Sequence, residues 1–273
     1  NTTGCHNTAI GFEALRNSLS SCHNFAVGQY ALYGNTTGGS NNAFGYRALE
    51  SNTTGAYNNA IGSYALYQNT TGCFNTGIGW YALVANTTGG CNHAMGSYAL
   101  QCNTTGCYNT AIGREALRTS LSGGFNFAAG YRTLYNNWGG YCNTAIGTEA
   151  LCKNTTGCYN NAMGPYAMCG NTEGSNNNAL GNSALKSNTT GVNNNAIGNT
   201  ALQSNTTGGY NSAIGYFALQ QNTTGNNNVA IGSQALQNSL SGCHNFASGS
   251  QALYNNWGGC HNNAIGCKAL CSN

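Results

Sequence analysis

The chain contains no aspartate, a single proline and very few charges of either sign. All five acidic residues are glutamates, and charged residues make up 5% of the 273 residues, against about a quarter in ordinary globular domains. The sequence has no phosphate-binding glycine loop followed by a helix and no nucleophile elbow. No apolar run approaches the roughly 18 residues of a membrane-spanning helix. We therefore expect no enzymatic activity, no cofactor, no bound metal and no insertion into a membrane.

The remaining charge gives no indication of a nucleic-acid partner. The formal net charge is +3, and lysine and arginine together number eight. They are spread along the sequence without a basic run, whereas nucleic-acid-binding domains concentrate them in a patch or stripe. The sequence therefore predicts that nucleic acid is not a partner.

What the chain does have is a repeat. Its length equals sixteen times 17 plus one, and sixteen copies of a 17-residue unit can be aligned as a single repeat domain over residues 1–273. A fixed period of this size predicts a solenoid in which each coil stacks on its neighbours. Aligned on their first polar residue, three copies are one residue shorter than the unit, and each is followed by a copy that is one residue longer. The copies begin at residues 1, 17, 35, 52, 69, 86, 103, 119, 137, 154, 171, 188, 205, 222, 238 and 256.

Two positions of the unit never vary. The eleventh position is glycine in every copy, as at Gly11 and Gly147, which indicates a corner with positive φ or close backbone approach. The seventh position is asparagine in every copy, as at Asn7 and Asn126. An amide can donate to one neighbouring coil and accept from the other. We expect an internal asparagine ladder.

The apolar positions predict the fold class. The ninth and fourteenth positions are almost always alanine, the tenth is usually a large apolar residue, and the fifteenth is leucine except at Met168. Each coil therefore has two short apolar pairs, one on each side of the corner glycine. Such short pairs suit strands of three or four residues. We predict an all-β fold, a parallel β-solenoid (β-roll) of sixteen 17-residue coils, whose second apolar face is open or covered by another chain.

The string Asn-Thr-Ala-Ile-Gly-x-x-Ala-Leu resembles the head repeats of YadA-type trimeric autotransporter adhesins. It is found at residues 7–15, 109–117 and 143–151. The repeats beginning Asn-Thr-Thr-Gly are also similar to those in shafts of bacterial surface and tail-fibre proteins. This resemblance implies a left-handed parallel β-roll that is extracellular, often trimeric, and serves in shafts or adhesion.

The fourteen cysteines are spaced for disulfides between coils. One coil in sequence corresponds to about 4.8 Å in space, within the Cα separation of a disulfide. Spacings of one repeat, to within one residue, predict five pairs: Cys5 with Cys22, Cys73 with Cys91, Cys142 with Cys158, Cys152 with Cys169, and Cys243 with Cys260. Pairing Cys102 with Cys107 and Cys267 with Cys271 uses all fourteen. Disulfide rungs indicate an oxidising, extracellular location.

Four histidines next to these cysteines leave a metal alternative. Cys5-His6 stacks on Cys22-His23, and the same pattern returns at residues 243–244 and 260–261, giving two Cys₂His₂ sets of zinc-ligand type. Neighbouring side chains in a strand diverge, so we favour disulfides beside stacked imidazoles. Aromatic residues that recur at the sixth and thirteenth positions, such as Tyr57 and Tyr64, are also predicted to stack.

Ten copies begin with Asn-Thr-Thr, a sequon for N-glycosylation. The alternative is that this asparagine and its threonines form capping ladders at a corner, because nearly all copies without the threonines still begin with asparagine. Regular threonines also suit an ice-binding face, although residues such as Trp138 and Trp257 interrupt the array. The candidate glycosylation sites are Asn1, Asn35, Asn52, Asn69, Asn86, Asn103, Asn154, Asn188, Asn205 and Asn222.

Together these features predict a structural protein of an extracellular fibre, either with or without surface glycans. The sequence starts and stops at the first residue of a copy, and uncapped β edges recruit further strands. We therefore expect self-association end to end, or a longer repetitive polypeptide. The alternatives are a trimeric adhesin-like or tail-fibre shaft that binds a carbohydrate or host surface, and an ice-binding solenoid.

Overall fold

A computed structural model describes residues 3–272 and confirms the predicted fold. Within these residues there are sixteen strands of three residues each and no helix, so the chain is all-β. Consecutive strands within each of the two units given below pair in parallel with partners one repeat apart, such as Ala43 with Ala60. The architecture is therefore a parallel β-solenoid. No helix among the described residues is long and apolar enough to span a bilayer.

The chain divides into two compact units, Asn1–Gly139 and Gly140–Asn273. Within each unit, strands that are consecutive in sequence are neighbours in a parallel sheet. The first unit contains β1 (Thr8–Ile10), β2 (Phe25–Val27), β3 (Asn42–Phe44), β4 (Asn59–Ile61), β5 (Thr76–Ile78), β6 (His93–Met95), β7 (Thr110–Ile112) and β8 (Phe127–Ala129). The second contains β9 (Thr144–Ile146), β10 (Asn161–Met163), β11 (Asn178–Leu180), β12 (Asn195–Ile197), β13 (Ser212–Ile214), β14 (Val229–Ile231), β15 (Phe246–Ser248) and β16 (Asn263–Ile265). The single domain over residues 1–273 stays a prediction.

The coils are uniform in length, which corrects three predicted boundaries. Strands begin at one constant spacing throughout each unit, so no copy is shorter or longer than its neighbours. The copies predicted to start at residues 17, 119 and 238 start one residue later, at Ser18, Ser120 and Ser239. The Ser18 amide donates to Leu15 O as the Asn35 amide does to Leu32 O. All three serines are buried, because a small hydroxyl fits where other coils place asparagine.

Each coil has one strand rather than the two predicted. In the third coil, Ala43 of the strand and Ala48 and Leu49 of the opposite side are fully buried and form the core. The segment with Ala48 and Leu49 is a turn, with φ of +57° at Arg47 and +53° at Leu49. A left-handed conformation costs a leucine about 1–2 kcal/mol. Burying its side chain contributes about 1.5–3 kcal/mol, which offsets that cost.

The corner glycine has the geometry that the sequence predicts. Gly45 has a φ of +135°, and a Cβ added to it would lie 2.7 Å from the carbonyl carbon of Gly62 in the next coil. Every side chain is therefore excluded by both the backbone angle and the adjacent coil. The glycine lets successive coils approach closely at the end of each strand.

The predicted asparagine ladder runs along the inside of the coils. Asn58 is fully buried, and its backbone amide donates to Asn41 Oδ1 at 2.9 Å. Its side-chain nitrogen donates both to Asn41 Oδ1 and to Gly72 O in the following coil. Each asparagine thus links three coils and satisfies polar groups that burial would otherwise leave unpaired. The ladder holds consecutive coils in one register.

Candidate functional surfaces

One face of each strand points out of the coil, and the last residue of nearly every strand on that face is apolar. The alanine at the middle of the strand is buried, whereas the residue after it, such as Met163 or Leu180, is 41–51% exposed. We call this surface the outer apolar face. Its exposed large residues in the first unit are Ile10, Phe44, Ile61, Met95 and Ile112, and in the second Ile146, Met163, Leu180, Ile197, Ile214, Ile231 and Ile265.

A row of mostly polar side chains borders the outer apolar face, because the first residue of most strands is Asn, Thr, Ser or His. A shallow groove in the second unit lies between Met163, Leu180 and Ile197 on one side and asparagines on the other. Asn161 Nδ2 donates to Asn178 Oδ1 at 2.9 Å, so these amides satisfy one another. No strand residue is lysine, arginine or glutamate. Because the face is apolar and uncharged, it suits contact with another protein surface better than binding of a charged ligand.

The sequon asparagines form a second ladder, which agrees with the capping alternative and disfavours their glycosylation. Asn52 is fully buried, and its Nδ2 donates to Asn35 Oδ1 at 2.8 Å and to Gly55 O at 2.9 Å. An N-linked sugar would replace one of these hydrogens and would have no space. The nine described candidates are all fully buried: Asn35, Asn52, Asn69, Asn86, Asn103, Asn154, Asn188, Asn205 and Asn222. Asn1 lies outside the described residues.

The two threonines that follow each sequon asparagine have different environments. Thr36 Oγ1 donates to Thr53 O at 3.0 Å, and the same carbonyl accepts from the amides of Thr36, Thr37 and Gly38. Thr37 is instead exposed, as is Thr54 one coil later. Only one of the two hydroxyl rows is therefore directed at solvent, where it is available to water or to covalent modification. An ice-binding role stays a prediction.

Aromatic rings at the sixth position stack between adjacent coils, as predicted. Tyr57 and Phe74 lie 4.9 Å apart with planes 2° from parallel. His6 and His23 stack in the same way, with centroids 4.9 Å apart. All four residues have φ between +55° and +61°, so the coil turns sharply beneath them. The stacking favours a structural role for these rings, because one face of each ring is covered by the next coil.

The cysteines are all free thiols in the structure. The seven predicted pairs differ in whether their sulfur atoms are in contact. Cys5 Sγ lies 2.9 Å from Cys22 Sγ, and Cys152 Sγ lies 2.8 Å from Cys169 Sγ. In the third pair with 17-residue spacing, Cys260 Sγ instead accepts the backbone amide of Cys243. All disulfides stay predictions, and sulfur contacts support two of them.

The other pairs are out of register. Cys91 and Cys142 lie at the sixth position of their coils, whereas their predicted partners Cys73 and Cys158 lie at the fifth. The sulfur of Cys158 accepts the backbone amide of Tyr141. The sulfur of Cys107 accepts the amide of Gly90 rather than contacting Cys102, and Cys267 and Cys271 lie at the twelfth and sixteenth positions of one coil. Because every coil has 17 residues, a spacing of 16 or 18 places two cysteines at different positions of adjacent coils.

Two clusters place three metal-ligand atoms within 4.8 Å of one another. One contains Cys5, His6 and His23, which belong to the first predicted Cys₂His₂ set; the imidazoles are exposed and stacked on each other. The other contains Cys152, Cys169 and Glu149. Two thiolates around tetrahedral zinc lie about 3.8 Å apart, given Zn–S bonds of about 2.3 Å. The shorter separation of Cys152 and Cys169 does not fit that geometry.

The structure also assembles a charged cluster that the sequence interpretation missed. Glu115 is almost fully buried, and its Oε2 accepts a hydrogen bond of 2.7 Å from Arg132 Nε. Arg114 and Arg118 lie 3.6 and 3.7 Å from its other oxygen. The hydrogen bond from Arg132, helped by the charges of all three guanidinium groups, lowers the pKa of Glu115. The signal was present in the sequence, because Glu115 and Arg132 are separated by one full repeat.

The comparisons with known proteins identify no relative. No protein-family model matches the chain, and neither a curated protein nor a solved structure matches it. The functional proposal therefore rests on the geometry of the coils and on their surfaces.

Proposed function

We propose that the chain is a structural protein whose stacked coils build an extracellular fibre. Its main support is that the interfaces between coils repeat one pattern. At most steps within a unit, an asparagine such as Asn52 or Asn69 bonds to its equivalent in the preceding coil at 2.7–2.8 Å. Backbone hydrogen bonds and paired amides therefore recur from one coil to the next. A coil of one chain can therefore stack on a coil of another by the bonds that join coils within the chain.

Stacking removes apolar surface from water. Ala26, in a strand paired on both sides, is fully buried. Apolar burial contributes roughly 25 cal/mol per Å². Together with satisfied backbone groups, this gives end-to-end association a driving force that needs no partner other than a second copy.

An extracellular location is supported by the cysteines. Two pairs already have their sulfur atoms in contact across adjacent coils, and disulfides persist outside the reducing cytosol. Surface sugars, if attached to the folded chain, would use exposed hydroxyls such as that of Thr37, since the sequon asparagines are buried. Such a coat would add solubility to a protein with few charges.

The outer apolar face supports the second candidate, a lateral trimer serving as an adhesin-like or tail-fibre shaft. Apolar residues such as Met163, Leu180 and Ile197 recur once per coil along the sheet. A second copy has side chains at the same spacing of about 4.8 Å, so the two faces would match along their length. Binding of a carbohydrate or a host surface would then be a function of the assembled shaft.

Substitution on this face separates the two candidates. Ile197→Lys places a charge at the centre of the face without touching the core, and Asn199→Lys is the matched control in the same coil at an adjacent surface position. If coils stack end to end as a single solenoid, both variants form filaments of unchanged width by electron microscopy. Loss of assembly in Ile197→Lys alone would instead show that lateral contact builds the fibre.

A further inference from the structure

Two cysteines of the second unit occupy the same position of adjacent coils. Cys152 and Cys169 are one repeat apart, each at the sixteenth position of its coil, and their Sγ atoms lie 2.8 Å apart. Cys152 Sγ also lies 3.4 Å from Cys169 O, which holds the side chain over the next coil. Both thiols are half-buried, so they remain accessible to small molecules.

The charges around the pair distinguish the two sulfurs. Glu149 lies on the same coil as Cys152, and Lys153 follows it in sequence, while Lys186 is one coil beyond Cys169. The hydrogen bond from Cys152, aided by Lys153 and Lys186, lowers the pKa of Cys169 to about 7, against the opposing effects of burial and Glu149. The same bond and burial raise the pKa of Cys152. Cys169 is therefore the attacking sulfur and Cys152 the resolving one.

We propose that Cys152 and Cys169 form a redox-active thiol pair that exchanges with low-molecular-weight disulfides and closes into a bond between two coils. The placement of the two sulfurs carries this assignment. Stacked strands lie about 4.8 Å apart, within the 4.4–6.8 Å Cα separation that a disulfide requires. The bond therefore needs only a small movement of the side chains.

The exchange takes place in two balanced steps. The Cys169 thiolate attacks one sulfur of the external disulfide, forms a mixed disulfide and releases the first small thiolate. Cys152 then loses its proton to solvent and attacks the Cys169 sulfur, which releases the second small thiolate. The two protein thiols are oxidised, the external disulfide is reduced to two thiols, and the protein gains one sulfur–sulfur bond.

Spacing alone does not produce this arrangement. Cys243 and Cys260 are also one repeat apart at the fifth position, where Cys243 N donates to Cys260 Sγ at 3.2 Å, whereas Cys5 and Cys22 at that same position have their sulfurs 2.9 Å apart. Cys243 Sγ is directed at Ser241 O of its own coil. The sixteenth position directs side chains along the stack, as the amides of Gln203 and Gln220 show by bonding at 3.0 Å.

The linked peptides identify the bond. Cleavage after lysine and arginine gives peptides 133–153 and 154–186, which contain Cys142 with Cys152 and Cys158 with Cys169. The full chain is reduced, freed of reductant, treated with oxidised glutathione at pH 7, alkylated, digested and analysed by mass spectrometry. We expect the two peptides to be joined in the wild type and in Cys142→Ser. We expect them to be separate in Cys152→Ser, with Cys169 carrying glutathione.

A linkage that persists in Cys152→Ser but disappears in Cys142→Ser would overturn the proposal in favour of the predicted Cys142–Cys158 bond. Alkylation of the reduced chain gives an independent readout. The thiolate fraction of Cys169 at pH 7 is about 16 times that of an ordinary thiol, and its lower basicity takes back about fivefold in reactivity. We expect Cys169 to be alkylated about threefold faster than an unperturbed cysteine. Equal rates, or complete protection of both sulfurs by added Zn²⁺ alone, would contradict the proposal.

Discussion

Asn52 Nδ2 donates a 2.8 Å hydrogen bond to Asn35 Oδ1 of the preceding coil, and neither residue has any exposed surface. The same nitrogen closes the corner of its own coil through Gly55 O. One side chain therefore fixes the turn within a coil and the register between coils. This dual role explains why asparagine recurs at a position that also reads as a glycosylation sequon.

Truncation of this amide should destabilise the first unit. Asn52→Ala leaves Asn35 Oδ1 without its Nδ2 donor, while Gly55 O keeps its second hydrogen bond from Asn41 Nδ2. A buried unsatisfied group costs about 1–3 kcal/mol. Thr54→Ala, at an exposed position of the same coil, should change stability by less than about 0.5 kcal/mol. Denaturant unfolding of both variants measures the difference, and equal stabilities would show that the ladder contributes little.

Addition of a methyl group at the strand corner should be worse tolerated than its size suggests. Gly62 has a φ of +129°, and a Cβ there would lie 2.7 Å from Gly79 O. Gly62→Ala should lose about 1–3 kcal/mol of unfolding free energy through backbone strain. The close contact with Gly79 O should add to this loss. Ser63→Ala, at the next residue, is the control and should be nearly neutral. A Gly62→Ala chain that unfolds at the wild-type denaturant concentration would contradict the close approach of the coils.

The buried carboxylate should make stability depend on pH. The folded pKa of Glu115 lies below its unfolded value, so the stabilisation is complete above the unfolded pKa, about 4.3, and is lost as pH falls through the folded pKa. Glu115→Gln should cost about 1.5–3 kcal/mol at pH 7, the value of a hydrogen bond to a charged group. In acid, below the folded pKa, the variant and the wild type should converge.

Glu13→Gln provides the matched control. Glu13 pairs with Arg16 at 2.6 Å on a more exposed surface, where ion pairs contribute less than about 1 kcal/mol. Unfolding midpoints measured from pH 3 to 7 compare the two substitutions. A constant difference between Glu115→Gln and the wild type over this range would mean that the ion pair is not the source of the stability.

The sequon asparagines should remain unmodified in the folded protein. In a glycosylating expression host, we expect the peptide that contains Asn188 and Asn205 to have its unmodified mass, because both amides are buried in the ladder. Sugar masses, where present, should map to serine or threonine. A hexosamine on Asn205 in folded material would show that the second ladder is not closed there.

The sequence predicts much of this fold because its repeats constrain both faces of each coil. The invariant glycine and the asparagine of the first ladder were interpreted correctly, since each residue type matches one specific geometry. The second side of the coil was not predicted, because leucine rarely adopts the left-handed conformation that Leu49 has. The coil boundary at Ser18 was misplaced because serine and asparagine both fit a small buried polar position.

The length of the coil determines which surface side chains lie one above the other in adjacent coils. Once every coil has the same length, Glu115 and Arg132 must lie one above the other, as must Cys152 and Cys169. The sequence alignment with shorter and longer copies placed Glu115 and Arg132 at different positions, whereas spacings of 16 and 18 residues led to disulfide pairs between the fifth and sixth positions. The sequence left undecided whether the second apolar face is open or covered, and the strand leaves side chains such as Ile197 exposed.

Electron cryo-microscopy of the purified chain tests the central claim most directly. The account predicts filaments one solenoid wide, with an axial repeat of about 4.8 Å per coil and density for a single chain in cross-section. Dispersed particles that do not lengthen with protein concentration, or three chains around a common axis, would contradict the proposal of a fibre built by end-to-end stacking.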